Sequence, residues 1–127
     1  MRDSTVIFDD GIPGFESFRE FVIVASATVE PFTILKGVGD DAPSFVAIDP
    51  RHVAPSYPTT LDAIARDRLR TTADEPLIWL SLVAIQPDGA ATVNLRAPLV
   101  ISPASMRGMQ IVPADSVYRV DHPFATA

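Results

Sequence analysis

The chain has 127 residues, of which 47% are hydrophobic and 20% are charged, and it contains no cysteine. These values predict one soluble globular domain, residues 1–127, and exclude a disulfide framework, thiolate catalysis and cysteine-based zinc sites. The formal net charge of −6 opposes direct binding to nucleic acid or to anionic membranes.

Eight short segments are rich in β-branched and aromatic residues and are separated by turn-forming residues, which is typical of strands. In chain order they are Thr5–Phe8, Glu20–Ala25, Phe32–Lys36, Ser44–Ile48, Leu77–Ile85, Ala91–Leu95, Leu99–Ile101 and Met109–Val112. Between the fifth and sixth of them, Gln86–Gly89 (Gln-Pro-Asp-Gly) predicts a tight turn, because proline presets φ and glycine accepts a positive φ.

One segment, Thr59–Arg70, has apolar residues at the three- and four-residue spacing of an amphipathic helix. Thr59 or Thr60 is the predicted N-cap, and Asp62 lies in the first turn, where the helix dipole favours an anion. Many short strands and a single helix predict a mainly β fold: a small, largely antiparallel, β-barrel-like single domain with one short helix.

Nothing in the sequence predicts export or membrane insertion. Acidic residues occupy the N-terminal segment, where a secretory signal has an apolar stretch. The longest apolar run, Leu77–Ile85, is far shorter than the roughly 20 residues needed to cross a bilayer. We therefore expect a cytoplasmic protein without membrane contact.

The charges are unevenly distributed along the chain. Residues 1–64 contain ten Asp and Glu against four Lys and Arg, whereas residues 65–127 contain six of each kind. An acidic first half suits a basic protein partner. The other interpretation, that the acids serve only solubility, stays open.

The sequence offers few residues for catalysis. Its two histidines, His52 and His122, are far apart in the chain and each lies close to proline. No serine lies in a Gly-x-Ser-x-Gly elbow, and no phosphate-binding or dinucleotide-binding glycine motif is present. We expect no enzymatic activity, no metal and no cofactor; the alternative is a small-molecule-binding β-barrel or a minor hydrolase built on one.

Gly11–Gly14 (Gly-Ile-Pro-Gly) matches the Gly-x-x-Gly loop with which KH domains hold nucleic acid. Three acidic residues surround it here, and their charge would repel a phosphate backbone. Pro13 and Gly14 suit the two central positions of a type II turn, so we interpret the segment as a tight turn.

Asn94 interrupts the apolar stretch Thr92–Ile101 with a polar amide. A buried amide needs hydrogen-bond partners, which a neighbouring backbone commonly supplies. We therefore interpret Asn94 as a structural clamp rather than as a ligand contact.

Taken in order, several motifs resemble the family of flagellar assembly factors called FliW. The resemblance covers nearly the whole chain, and its most specific piece is Val93–Ile101 (Val-Asn-Leu-Arg-Ala-Pro-Leu-Val-Ile). The matching segments are Phe8–Glu16, Pro31–Leu35, Phe45–Pro50, Tyr57, Val93–Ile101, Gly108–Gln110, Tyr118 and His122–Pro123. Lys36–Pro43 and Ser102–Arg107 depart from the family's pattern, which bears on partner choice more than on fold.

The resemblance implies a small barrel-like fold and a regulator that binds two partners in turn. FliW-like proteins bind newly made flagellin, and they also bind the RNA-binding translational repressor CsrA. Flagellin that accumulates occupies the FliW-like protein and leaves CsrA free to repress flagellin translation. In the family, antagonism of CsrA is allosteric, because binding occurs away from the RNA-binding surface of CsrA.

Two sets of candidate residues follow. The residues predicted to contact a basic protein partner are Glu16, Asp40, Asp41, Asp74 and Glu75. The motif residues predicted to shape the scaffold are Gly11, Pro13, Gly14, Phe15, Asp49, Pro50, Asn94, Leu95, Ala97, Pro98, Gly108 and Gln110. A few buried apolar anchors would supply most of the affinity, while the acids would speed encounter.

Overall fold

The structure is a computed structural model that describes residues 5–113 and 116–124. Within these ranges the chain forms short strands and two short helices. They are β1 (Thr5–Phe8), β2 (Glu20–Val24), β3 (Phe32–Gly37), β4 (Ser44–Ile48), α1 (Pro50–Val53), α2 (Ala63–Arg68), β5 (Ile78–Ile85), β6 (Ala91–Val93), β7 (Leu99–Ser102), β8 (Arg107–Gln110) and β9 (His122–Phe124). The predicted mainly β fold is confirmed, and each predicted strand overlaps an observed one.

Seven strands close into a barrel in the order β4-β3-β2-β1-β8-β7-β5, and β4 pairs with β5 to complete the ring. The described pairs are antiparallel except β1 with β8, which run parallel. β6 pairs with residues 83–85 of β5, and β7 pairs with residues 78–80 of the same strand. β6 and β7 therefore act as one interrupted strand opposite β5, and residues 94–98 between them, here called the bulge, leave the sheet. β9 pairs with β6 and extends the sheet beyond it.

Side chains fill the interior of the barrel. Alternate residues of each strand point inward, as the two-residue period of a strand requires. The buried interior cluster consists of Val6, Phe8, Ile12, Phe21, Leu35, Ala47, Leu80, Leu99 and Ile101. Edge-to-face contact between the rings of Phe8 and Phe21, at 5.6 Å between centroids, lies at its centre. The interior is thus a packed core.

Two further clusters lie outside the barrel wall. α2 and the residue before its cap cover one of them, which contains Leu61, Ala65, Leu69, Trp79 and Val100. The segment after β4 covers the other, in which Tyr57 packs with Ile48, Val93 and Leu95. The barrel therefore has an outer layer over part of its surface.

The helix prediction was wrong in its boundaries. α2 covers only Ala63–Arg68, and its N-cap is Asp62 rather than one of the preceding threonines. The carboxylate of Asp62 accepts a hydrogen bond from the backbone N of Ala65 at 2.8 Å. Of the four apolar residues whose spacing predicted the buried side, Leu61, Ala65 and Leu69 are buried, but Ile64 is 74% exposed, so the prediction was wrong for Ile64.

Two elements were not predicted, α1 and β9, so the prediction of one helix is corrected to two. α1 is a single turn that begins at Pro50, which is tolerated at the first helical position. β9 contains Pro123, which argues against a strand by sequence. The position is tolerated because β9 lies at the edge of the sheet, paired with β6.

Candidate functional site

The Gly11–Glu16 motif forms the tight turn between β1 and β2. The backbone N of Phe15 donates to the carbonyl of Ile12 at 2.7 Å, and Gly14 has a φ of 90°. Gly11 has a φ of 69°, and an added Cβ would lie 2.6 Å from Cα of Glu16. Only glycine fits both demands at position 11, so this motif residue shapes the turn.

The side chains at the tip of this turn are exposed. Glu16 Oε2 accepts a hydrogen bond from the backbone N of Gly14 at 3.1 Å, and this bond lowers the pKa of Glu16 below its usual value. Phe15 packs edge-on against Phe45, with 5.1 Å between ring centroids. The turn is thereby held against the start of β4.

Asp49 is the N-cap of α1. Its Oδ1 accepts from the backbone N of Arg51 at 2.8 Å, and its Oδ2 forms an ion pair with the guanidinium of Arg51 at 2.6 Å. The hydrogen bond from Arg51 lowers the pKa of Asp49, although partial burial opposes the shift. Pro50 follows and is buried, so this motif pair directs the chain out of β4 and into the outer layer.

The bulge between β6 and β7 is held by its own polar groups. Asn94 Oδ1 accepts from the backbone N of Arg96 at 3.1 Å and of Ala97 at 3.0 Å. The carbonyl of Leu95 accepts from the hydroxyl of Tyr57 at 2.5 Å. The side chain of Asn94 therefore clamps backbone, as its sequence context had suggested.

A second strand fastens the far end of the bulge. Gln110 on β8 donates through Nε2 to the carbonyl of Ala97 at 3.1 Å. The backbone N of Ile111 donates to the carbonyl of Pro98 at 2.9 Å. The three motif residues Ala97, Pro98 and Gln110 are thus joined by hydrogen bonds between β8 and the bulge.

Gly108 lies on β8 opposite Phe8 of the parallel strand β1. An added Cβ would lie 2.6 Å from Cζ of the Phe8 ring, which is fully buried. The ring cannot move without displacing the interior core. Glycine at this position is therefore required by close packing.

The five acidic residues predicted to contact a partner lie in three separate loops. Asp40 and Asp41 are exposed in the β3–β4 turn, and Asp41 has a φ of 61°. Asp74 is exposed, whereas Glu75 is half-buried and accepts from the backbone N of Thr72 at 2.9 Å. A partner-binding role stays a prediction for all five.

One surface feature was missed by sequence reasoning: a row of apolar side chains on the outside of the barrel wall. Val24 pairs with Ile34, Ile34 with Val46, and Val46 with Val83. Their strand neighbours point into the core, so this row, the apolar stripe, points outward. The signal in the sequence was the unbroken apolar run Phe21–Val24. In a strand with one polar face, apolar and polar residues alternate, so an unbroken apolar run indicates that both faces are apolar.

The cavities that the structure shows lie outside the barrel. The most apolar of three has a volume of about 310 Å³ and lies between Tyr57, Trp79 and Tyr118. Burial raises the pKa of Tyr57 to about 12, with a smaller contribution from Tyr118. The other two have volumes of about 240 and 370 Å³; the smaller has a mixed polar and apolar lining, and the larger has a mainly polar lining. None of the three is lined by a residue of the interior core.

The described residues contain no cluster of three or more His, Cys, Asp or Glu side chains that could hold a metal ion. His52 lies exposed on α1 and His122 lies half-buried on β9. No helix among the described residues is both long enough and apolar enough to span a membrane.

A filled barrel with shallow outer cavities defines a class of small β-barrel proteins in which the outer surface is available for contacts. Comparisons with known proteins identify the family. The family model described as "FliW protein" matches residues 1–124, so the chain belongs to the FliW family.

Individual relatives agree with this assignment. The flagellar assembly factor FliW of Syntrophotalea carbinolica is 33% identical over 121 residues, which are 95% of this chain and 86% of the relative. The protein of the same name from Caldicellulosiruptor saccharolyticus is 34% identical over 118 residues, covering 92% of this chain and 77% of the relative. A crystal structure of the flagellar assembly factor FliW superposes with a TM-score of 0.86 at 29% identity, covering 97% of this chain and 87% of that one.

Proposed function

We propose that this protein is a flagellar assembly factor that binds flagellin and, in its absence, antagonises the translational regulator CsrA. The observation that carries the proposal is the match of the FliW family model to residues 1–124, supported by the common fold. Relatives named for flagellar assembly match over at least nine-tenths of the chain.

In the proposed mechanism, flagellin and CsrA compete for binding to the protein, and no reaction is catalysed. Newly made flagellin occupies the protein and leaves CsrA free to repress flagellin translation. Once flagellin is exported, the free protein binds CsrA away from the RNA-binding surface of CsrA and relieves repression allosterically. Both partners are met in the cytoplasm, where flagellin also gains a binding protein that acts as a chaperone before export.

The structure supports a protein-binding role better than a small-molecule barrel or a minor hydrolase. A ligand-binding barrel needs an interior cavity with convergent polar groups. Here the interior is occupied by Phe8, Phe21, Leu35 and further apolar side chains that are fully buried. The three cavities described above lie on the outside of the barrel. The protein has a net charge of −6, which favours a basic partner over RNA.

The test is a binding and competition experiment with three purified proteins from one source. We expect the protein to co-elute in size exclusion with flagellin and, separately, with CsrA, and flagellin to displace CsrA from it. We also expect it to release CsrA from RNA in a gel-retardation assay and not to retard RNA without CsrA. A stable ternary complex with both proteins would contradict the competition, and failure to bind either partner would contradict the proposal.

A further inference from the structure

Among the residues that the structure describes, other segments cover the outer surface of the barrel on two sides and leave a third side largely exposed. α2 covers Trp79 and Val100, and the segment around Tyr57 covers Ile48 and Val93. On the outside of β2, β3 and β4, by contrast, Val24 and Val46 remain 41% and 38% exposed. We call this surface the open face. The apolar stripe lies across it.

The apolar stripe is unusual for a solvent-facing sheet. A half-exposed antiparallel sheet normally alternates apolar residues inside with polar residues outside. Here β2 carries Phe21 and Ile23 toward the core and also Val22 and Val24 on the outer surface. Contiguous apolar surface of this kind commonly marks a site of protein–protein contact.

The charges around the open face are mostly negative. Glu20 lies on β2, Glu30 in the β2–β3 turn, and Asp40 and Asp41 in the β3–β4 turn; all four are exposed. We call these four residues the acidic border. Lys36 on β3 is the cation that the strand register places on the same face, beside Val22. Four carboxylates against one ammonium group leave a charge of −3 around the apolar stripe.

We propose that the open face is the docking surface for a basic protein whose contact area has an apolar centre bordered by Lys or Arg. The apolar stripe packs against the apolar centre of the partner's contact area, and the acidic border forms ion pairs with the partner's Lys or Arg side chains. The inference rests on the proposed function. Of the two proposed partners, we assign CsrA to the open face, because the basic residues of an RNA-binding protein create a positive potential that extends over its surface beyond the RNA-binding patch itself.

The two parts of the open face have different effects on binding. Partly exposed valines that become fully buried contribute to affinity and act mainly on dissociation. Exposed border charges act mainly on the association rate, and their effect decreases as salt screens them. Substitutions of the two kinds therefore have distinguishable kinetic signatures.

The first test variant is Val24→Thr with Val46→Thr. Threonine keeps the β-branched shape that suits a strand and replaces a methyl group by a hydroxyl. The matched control is Val112→Thr with Val120→Thr, because these valines are 61% and 58% exposed and lie outside the open face. The affinity of each variant for purified CsrA and for purified flagellin is measured by surface plasmon resonance, with circular dichroism to check folding.

We expect V24T/V46T to weaken CsrA binding by about tenfold, mainly through faster dissociation, and the control to remain within about twofold of the unmodified protein. Unchanged CsrA affinity in a folded V24T/V46T variant overturns the open face as the docking surface and leaves the proposed function intact. Loss of flagellin binding alone overturns CsrA as its occupant. Failure of the unmodified protein to bind either partner overturns the inference together with the proposed function.

The second variant, Asp40→Asn with Asp41→Asn, does not depend on strand packing. Both residues are exposed in a turn, and asparagine tolerates the φ of 61° at position 41. We expect CsrA association to slow by about threefold at low salt and to match the unmodified protein at high salt. An association rate that is unchanged at low salt overturns the acidic border, even if V24T/V46T folds poorly.

Discussion

The side of the barrel that carries the sequence motifs differs from the open face in where its polar groups point. On the motif side, Gln110 donates to the carbonyl of Ala97, and Asn94 accepts from the backbone of its own bulge. On the open face, apolar side chains point outward and the surrounding carboxylates of Asp40 and Asp41 are exposed. The polar groups of the motif side form hydrogen bonds within the chain, whereas the side chains of the open face are exposed to solvent.

From this difference we expect the motif residues of this chain to shape its scaffold rather than to contact a partner. Glycine at position 108 and the amide at position 94 are explained by contacts within the chain. A residue that satisfies an internal hydrogen bond is a poor candidate for a partner contact, because binding would have to break that bond. Variants on the motif side are therefore expected to change stability, and variants on the open face to change binding.

The largest effect on the motif side is expected for Gly108→Ala. The added methyl group would lie 2.6 Å from the buried Phe8 ring, so we expect the free energy of unfolding to fall by about 2–3 kcal/mol. Urea denaturation followed by circular dichroism measures the loss. Phe8→Leu is the control background, since removing the ring should make Gly108→Ala cost clearly less there. An equal cost in both backgrounds would show that the ring is not the cause.

A smaller loss is expected for Tyr57→Phe. The substitution keeps the ring and removes the donor to the carbonyl of Leu95, which the structure places at 2.5 Å. We expect a loss of about 1–2 kcal/mol at neutral pH, because the carbonyl is left without its partner. Equal stability of the two proteins at neutral pH would contradict this bond.

The same pair of proteins gives a pH dependence with a defined sign. Folding raises the pKa of Tyr57 from 10.0 to about 12, so the folded state holds the phenolic proton more tightly than the unfolded chain. This stabilisation is fully present below pH 10.0 and is lost as the pH rises through about 12. The difference in unfolding free energy between the unmodified protein and Tyr57→Phe should therefore shrink over that range. If this difference in unfolding free energy stays constant over that range, folding does not raise the pKa of Tyr57.

The smallest effect in this series is expected for Asn94→Ala. Two backbone N–H groups lose their shared acceptor, but the site is only half-buried and water can replace part of the bonding. We expect a loss of about 1 kcal/mol in unfolding free energy. Asn94→Asp is the matched control, because it keeps the accepting oxygen and should retain most of the stability. If the aspartate variant loses as much as the alanine variant, the clamp does not act through that oxygen.

Strand positions were predictable because they depend on local composition. β-branched and aromatic residues between turn formers mark the strands, and proline with a following glycine marks the turns. At Gln86–Gly89 (Gln-Pro-Asp-Gly), for example, the backbone N of Gly89 donates to the carbonyl of Gln86 at 2.8 Å. Two short elements were not predicted, because their local composition does not indicate a helix or a strand. α1 contains one turn, too short for a helical period, and the strand at His122–Phe124 includes a proline that only an edge position tolerates.

The mainly β class, the first eight strands in chain order, the tight turn at Pro13-Gly14 and the family were predictable from the sequence. These features depend on residues close together in the chain or on an ordered set of motifs. Three features are visible only in the folded chain: the closure of the ring by β4 and β5, the contact of Gly108 with Phe8, and the grouping of Val24, Ile34 and Val46 on one face. These depend on strand register between distant segments, because a shift of one residue would turn the apolar stripe into the core.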